Sequence, residues 1–179
     1  MKIETLCWLF PVVFIIHDFE EIIMMRPWIS KNSQMLKKRF PVLYPKFISK
    51  AGKLSTSSFA LVVLEEFILL VIITYITVEY GFYSMWTGLL MAFFLHLIIH
   101  LIQSLVVRIY TPFIITSMLA SGYCIFAIIS LQKTQLVDWK QTLYWTVFFF
   151  ITLVANLLFV HKMAGRFEKW LNEKYDLQS

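Results

Sequence analysis

No lysine or arginine lies deep in the long apolar runs of this chain, yet five acidic side chains do. Charge is scarce overall. Only 15% of the 179 residues are charged while 59% are hydrophobic, and the mean hydropathy is +0.73. Soluble domains carry about 25% charged residues, so a soluble globular fold is excluded. Cysteine is nearly absent: Cys7 and Cys124 stand far apart in apolar segments, without CxxC spacing, which leaves neither a disulfide framework nor a thiolate metal site. No GxSxG stretch and no cysteine beside a histidine offers a covalent nucleophile. Internal repeats and low-complexity segments are lacking too.

What is present is hydrocarbon. A spanning helix needs about 20 mostly apolar residues. Five such stretches are expected, at 6–25, 57–78, 85–109, 113–131 and 142–160, in one transmembrane domain covering 1–179. The fold class is therefore all-α, a polytopic bundle of about five spans. Residues 6–16 have the length of a signal-peptide core, but no small-residue cleavage site follows and "IIMM" resumes the apolar character, so a retained span is expected.

The net charge of +5 is a matter of membrane side, not of nucleic acid. The segment 26–56 is expected to be a basic cytoplasmic loop, with eight Lys/Arg and no acid. With the N-terminus outside and the C-terminus cytoplasmic, thirteen basic residues fall inside and three outside, as the positive-inside bias requires. Within that loop "KFISKAGKL" sets Phe47, Ile48, Ala51 and Leu54 on one stripe, edged by Lys46, Lys50 and Lys53. Such a stretch lies in the interface and attracts anionic lipid headgroups, although a plain connector would look the same.

The acids sit in company. "HDFEE" places His17, Glu20 and Glu21 at i, i+3 and i+4 on one helix face, with Asp18 turned about 100° away. "VVLEEFILL" carries Glu65 and Glu66, "FFLHLIIHLIQ" carries His96, His100 and Gln103, and the fifth span carries Asn156. Counted from the inner ends of their spans, His17, Glu65 and His100 each lie roughly 12 Å deep at 1.5 Å per residue. The groups can meet.

An ionised residue at mid-span costs about 2.5–3.5 kcal/mol, so unpaired acids are expensive. A bound cation would neutralise them, and His with carboxylate suits zinc or iron. Taken singly, a buried histidine can bond a backbone carbonyl and a glutamate pair can hold a proton. Together, His17, Glu20, Glu21, Glu65, His96 and His100 are the expected metal ligands. Glu21 and Glu66 are the candidate proton-transfer groups. Asp18, Gln103, Tyr110 and Asn156 are expected around the ligands or against substrate. A dinuclear iron site in a bundle would want two Glu-x-x-His elements, which are missing here, so zinc-dependent hydrolysis is preferred to oxygen chemistry.

These residues resemble a family of small bacterial integral membrane proteins named for an HXXEE motif. "HDFEE" carries the motif at His17, Glu20 and Glu21, and His100 precedes "YTPFIIT", where Tyr110, Pro112 and Thr116 fit a second family segment. Phe113 stands where that segment has glycine. The resemblance implies a membrane enzyme of the metal-dependent hydrolase type, in the bacterial cytoplasmic membrane.

The expected activity is hydrolysis of a small amphipathic or lipid-like substrate at a His/Glu metal site open to the cytoplasm. The alternative is a proton-coupled carrier using the same acids as a relay. The chain lacks the inverted repeat frequent in carriers, which assembly into a homo-oligomer would supply.

Overall fold

The computed structural model describes residues 1–49, 52 and 55–175, with side chains other than those of residues 47, 157–164, 168 and 172. Among the described residues the chain forms five long α-helices and no strand. They are α1 (Ile3–Arg39), α2 (Thr56–Tyr80), α3 (Tyr83–Val107), α4 (Ile114–Gln132) and α5 (Trp139–Tyr175). A short π-helical turn occupies Tyr44–Ile48.

The helix ends follow from local chemistry. Ser55 caps α2 by accepting from the Ser58 amide at 3.2 Å, and Asp138 caps α5 by accepting from the Lys140 amide at 2.8 Å. Gly81 closes α2 in the left-handed region (φ 76°), which only glycine enters without strain, and α3 starts two residues later. Pro112 lies in the turn that leads into α4.

Three helices, α2, α3 and α4, are long and apolar enough to cross a membrane. Their bounds agree with the expected spans to within two residues. Helix α1 is excluded from that group by Asp18, Glu20 and Glu21, and on α5 the side chains of residues 157–164 lie outside the described ones. Outward residues such as Ile68, Ile72, Phe148 and Ile151 are exposed, as they are when lipid is the solvent. The chain is an all-α polytopic membrane protein.

One expectation fails at its boundary. The supposed loop 26–56 begins as helix, because α1 runs unbroken through Pro27 to Arg39. Proline there deletes a single backbone hydrogen bond. The extension is held because Ile29 and Leu36 are buried, Ile29 lying close to Gly52. Two side-chain bonds also tie it down: Trp28 Nε1 donates to the Tyr110 carbonyl at 2.7 Å, and Arg39 Nη1 to the Val107 carbonyl at 2.6 Å. These carbonyls lie at and just beyond the end of α3, where no helical partner remains for them. Of the expected interfacial stripe, residues 50, 51, 53 and 54 lie outside the described residues, as does the side chain of 47.

Neighbouring helices run in the order α1, α2, α5, α3, α4 and back to α1. Across that ring, α1 and α3 meet through large side chains. Phe10 lies 5.4 Å from both Trp86 and Phe93, edge-on to the former, and Phe14 lies 5.7 Å from Phe93. Trp86 is fully buried, with its Nε1 3.3 Å from Thr74 Oγ1 on α2. Lipid supplies no hydrophobic drive between helices, so close van der Waals contact holds them. Gly88 marks a close contact between α3 and α5: a Cβ there would sit 2.4 Å from Trp145 Cβ. No side chain fits.

Candidate metal centre

Below the aromatic layer, the same two helices present four ligating side chains to one another. His17 and Glu21, one turn apart on α1, face His96 and His100, one turn apart on α3. One donor atom from each can be chosen so that all four lie within 4.8 Å of one another. His100 Nε2 is 2.8 Å from His96 Nε2 and 2.9 Å from Glu21 Oε1. The His96 and His100 rings are 4.2 Å apart, and His17 is 5.4 Å from His100 and 5.8 Å from His96. His17 is fully buried, Glu21 and His100 nearly so, and His96 is half-buried.

The surroundings decide which nitrogens are free. Thr116 Oγ1 on α4 donates to Glu20 Oε2 at 2.6 Å, which spends its only proton. At 2.9 Å from His17 Nδ1 it must then accept, so Nδ1 carries the hydrogen. His17 Nε2 is left with its lone pair, buried and without a hydrogen-bond partner. His100 is treated alike: its Nδ1 faces Gln103 Oε1 at 3.2 Å and Nε2 points into the cluster. Glu21 Oε1 also lacks an aligned hydrogen bond despite its closeness to His100. Buried polar atoms are rarely left so. Several electron pairs converge where a cation would take them.

The donor set fits a borderline metal. Three imidazoles and a carboxylate match zinc or iron better than magnesium or calcium, which prefer oxygen ligands. A tetrahedral zinc site with bonds near 2.0–2.1 Å has ligand–ligand edges of about 3.3 Å. His100 Nε2 lies somewhat closer than that to His96 and Glu21, and all four donor atoms fall within 4.8 Å of one another. Two aromatic rings shield the cluster, Phe113 at 4.5 Å from His100 and Phe93 at 5.9 Å from His17. Phe113, the glycine departure in the turn before α4, is thus a wall of the site.

The other expected residues fall elsewhere. Glu20 serves Thr116, and the Tyr110 hydroxyl approaches its Oε1 at 3.5 Å. Glu65 and Glu66 turn to α5, where Asn156 Nδ2 donates to them at 2.9 and 3.2 Å. Asp18 is buried, with Oδ2 unpartnered. So the HDFEE acids split: Glu21 joins the cluster, while Glu20 supports His17 from outside. Thr116 was missing from the expected site. Its signal was the polar stripe Thr116, Ser117 and Ser121 on an otherwise apolar helix.

Comparison with known proteins adds a family and no activity. The family described as "Protein of unknown function with HXXEE motif" matches residues 8–127, which takes in α1 to α4 as far as Ala127 and leaves α5 outside. No curated protein and no solved structure matches. The matched region holds all four clustered residues, together with Glu20 and Thr116. The chain belongs to the HXXEE family.

Proposed function

We propose that the protein is a metal-dependent membrane hydrolase in which His17, Glu21, His96 and His100 hold one divalent ion, zinc before iron. The observation that carries this reading is the pair of histidines, His17 and His100, each with Nδ1 engaged from behind and Nε2 directed into a shared buried space. Outer partners of this kind orient ligating histidines in metal sites generally. One clustered carboxylate is too few for a carboxylate-bridged pair of irons, which favours a single ion.

A divalent ion held there supplies Lewis acidity that polarises a carbonyl or phosphoryl oxygen and makes water a better acid. The protein's own residues exclude bulk water through Phe93 and Phe113 and fix the ligand tautomers through Thr116 and Gln103. Hydrolysis adds the hydroxyl of water to the acyl carbon of an ester or amide and the proton to the departing oxygen or nitrogen. One carboxylate outside the ligand set, Glu66 or Asp18, carries that proton.

Metal content tests the reading. Full-length protein purified in mild detergent without chelator should retain about one equivalent of zinc, held by its buried His and Glu ligands. Absence of metal, even after reconstitution with zinc or ferrous iron, would end it. The bridge from Glu66 through Asn156 to Glu65 would then favour a proton pathway.

The membrane orientation follows from charge. With Cys7 and Cys124 replaced by serine, a cysteine at Asn32 should react with impermeant maleimide only from the cytoplasmic side, and one at Gln135 only from outside. Both labelled from one side would refute the orientation. In the expected orientation the basic α1 extension meets the anionic cytoplasmic leaflet.

A further inference from the structure

The extension of α1 does not run straight on from the membrane. Glu21 and His100 touch at 2.9 Å, so these positions lie level on α1 and α3, whose rings also meet at Phe10 and Trp86. Arg39 stands eighteen residues past Glu21, about 27 Å of helix, whereas Val107 stands seven past His100, about 10 Å. Yet Arg39 Nη1 donates to the Val107 carbonyl at 2.6 Å. The difference of about 16 Å exceeds the length of an arginine side chain, so the extension leans across the end of α3. Pro27, which lacks one backbone hydrogen bond, permits the lean. Arg39 is thereby held at the level where a spanning helix ends, which is the bilayer surface.

Ile29 and Leu36 turn inward and are buried, which leaves another face of the extension outward. A groove of about 560 Å³ opens there, lined by Lys31, Asn32, Gln34, Met35, Lys38 and Arg39. No acidic residue occurs between 22 and 64, and among the described residues no ion pair engages these three cations. The side-chain amides and the remaining guanidinium N–H groups add donors, so the groove suits a phosphate. Val42 and Leu43 follow within four residues of Arg39, and both are exposed. A soluble phosphate ester has no use for them. A lipid has acyl chains to meet them.

We propose that this groove seats the phosphate headgroup of an anionic lipid, with Val42 and Leu43 against its acyl chains. Lys31, Lys38 and Arg39 supply the charge, and Arg39 ties the bound lipid to the α3–α4 turn through Val107. The general attraction of a basic segment for an anionic leaflet needs no such seat, because it follows from charge alone. A groove adds a fixed count, about one headgroup for its volume, and a dependence on particular cations. The proposal stands apart from the metal centre, and no metal enters its test.

Full-length protein in neutral maltoside micelles is titrated with phosphatidylglycerol, phosphatidylcholine or inorganic phosphate. Thermal shift gives the apparent affinity, and native mass spectrometry gives the number bound. Phosphatidylglycerol should raise the melting temperature, with about one lipid retained per chain, and the other two should not. Lys31→Gln/Lys38→Gln, at two exposed positions, should weaken that binding about tenfold or more, since each surface cation contributes a factor of about five. Lys133→Gln/Lys140→Gln removes the same charge outside the groove and should bind as the wild type does. Lys31→Arg/Lys38→Arg should keep the lipid, which separates lost charge from a folding fault. An equal loss in both glutamine pairs would reduce the effect to net charge and overturn the seat. An equal response to phosphatidylcholine or to inorganic phosphate would overturn the anionic lipid as its occupant.

Discussion

His17→Ala is expected to lower zinc affinity more than about 100-fold, beyond the 10–100-fold that removal of an outer partner costs. His17 supplies a nitrogen that is buried, unpartnered and held in one tautomer, so nothing nearby can replace it. Truncation leaves three donors, two of them on α3, and takes away half of what α1 contributes. The measurement is competition against a chromophoric chelator, with metal content by mass spectrometry. His100→Ala should behave alike, since His100 lies within 2.9 Å of two other cluster atoms. Lys38→Ala, on the exposed basic extension, is the control and should bind as the wild type does. Wild-type affinity in His17→Ala would remove this histidine from the ligand set and the proposed centre with it.

The second large effect concerns a residue that touches no metal. Thr116→Val is nearly isosteric but deletes the hydroxyl that accepts from His17 Nδ1 and donates to Glu20. Zinc affinity should fall about 10–100-fold, the usual consequence of losing an outer hydrogen-bond partner. Thr116→Ser should restore it. A loss of packing would also lower affinity, so a second readout is needed. Nitrogen NMR of labelled histidine in metal-free protein should give His17 as the Nδ1–H tautomer in the wild type and as a mixture in Thr116→Val. An unchanged tautomer in Thr116→Val would mean that the hydroxyl does not set the ligand's direction.

Much of this arrangement is legible in the sequence, for physical reasons. The spans are visible because hydrocarbon admits few polar residues, so α2, α3 and α4 stand out by composition. His17, Glu21, His96 and His100 are visible because helical rise fixes depth and i, i+4 spacing fixes a face. Rotation about the helix axis is different. It depends on which neighbours pack where, and no local rule separates Glu20, turned to Thr116, from Glu21, turned to the histidines. Glu65 and Glu66 share the depth of the cluster but face α5, for the same reason. The expected loop 26–56 begins as helix because burial of Ile29 and Leu36 carries α1 past the end of the apolar run. Thr116 fits the family segment but was given no place in the site, because a single hydroxyl in an apolar helix costs little and signals little.

The corner at which Trp28 and Arg39 grasp the α3–α4 turn has a consequence for bilayer thickness. Helix α1 is about 55 Å long at 1.5 Å per residue, far more than the hydrocarbon core of about 30 Å. A free helix of that length tilts as its membrane thins. Here α1 is bonded to the end of α3 and to the turn leading into α4, the helices that carry His96, His100 and Thr116. These three helices must tilt as one body, and the distances among the four ligands belong to the protein instead of to the lipid. Zinc affinity should therefore hold steady from short-chain to long-chain lipids.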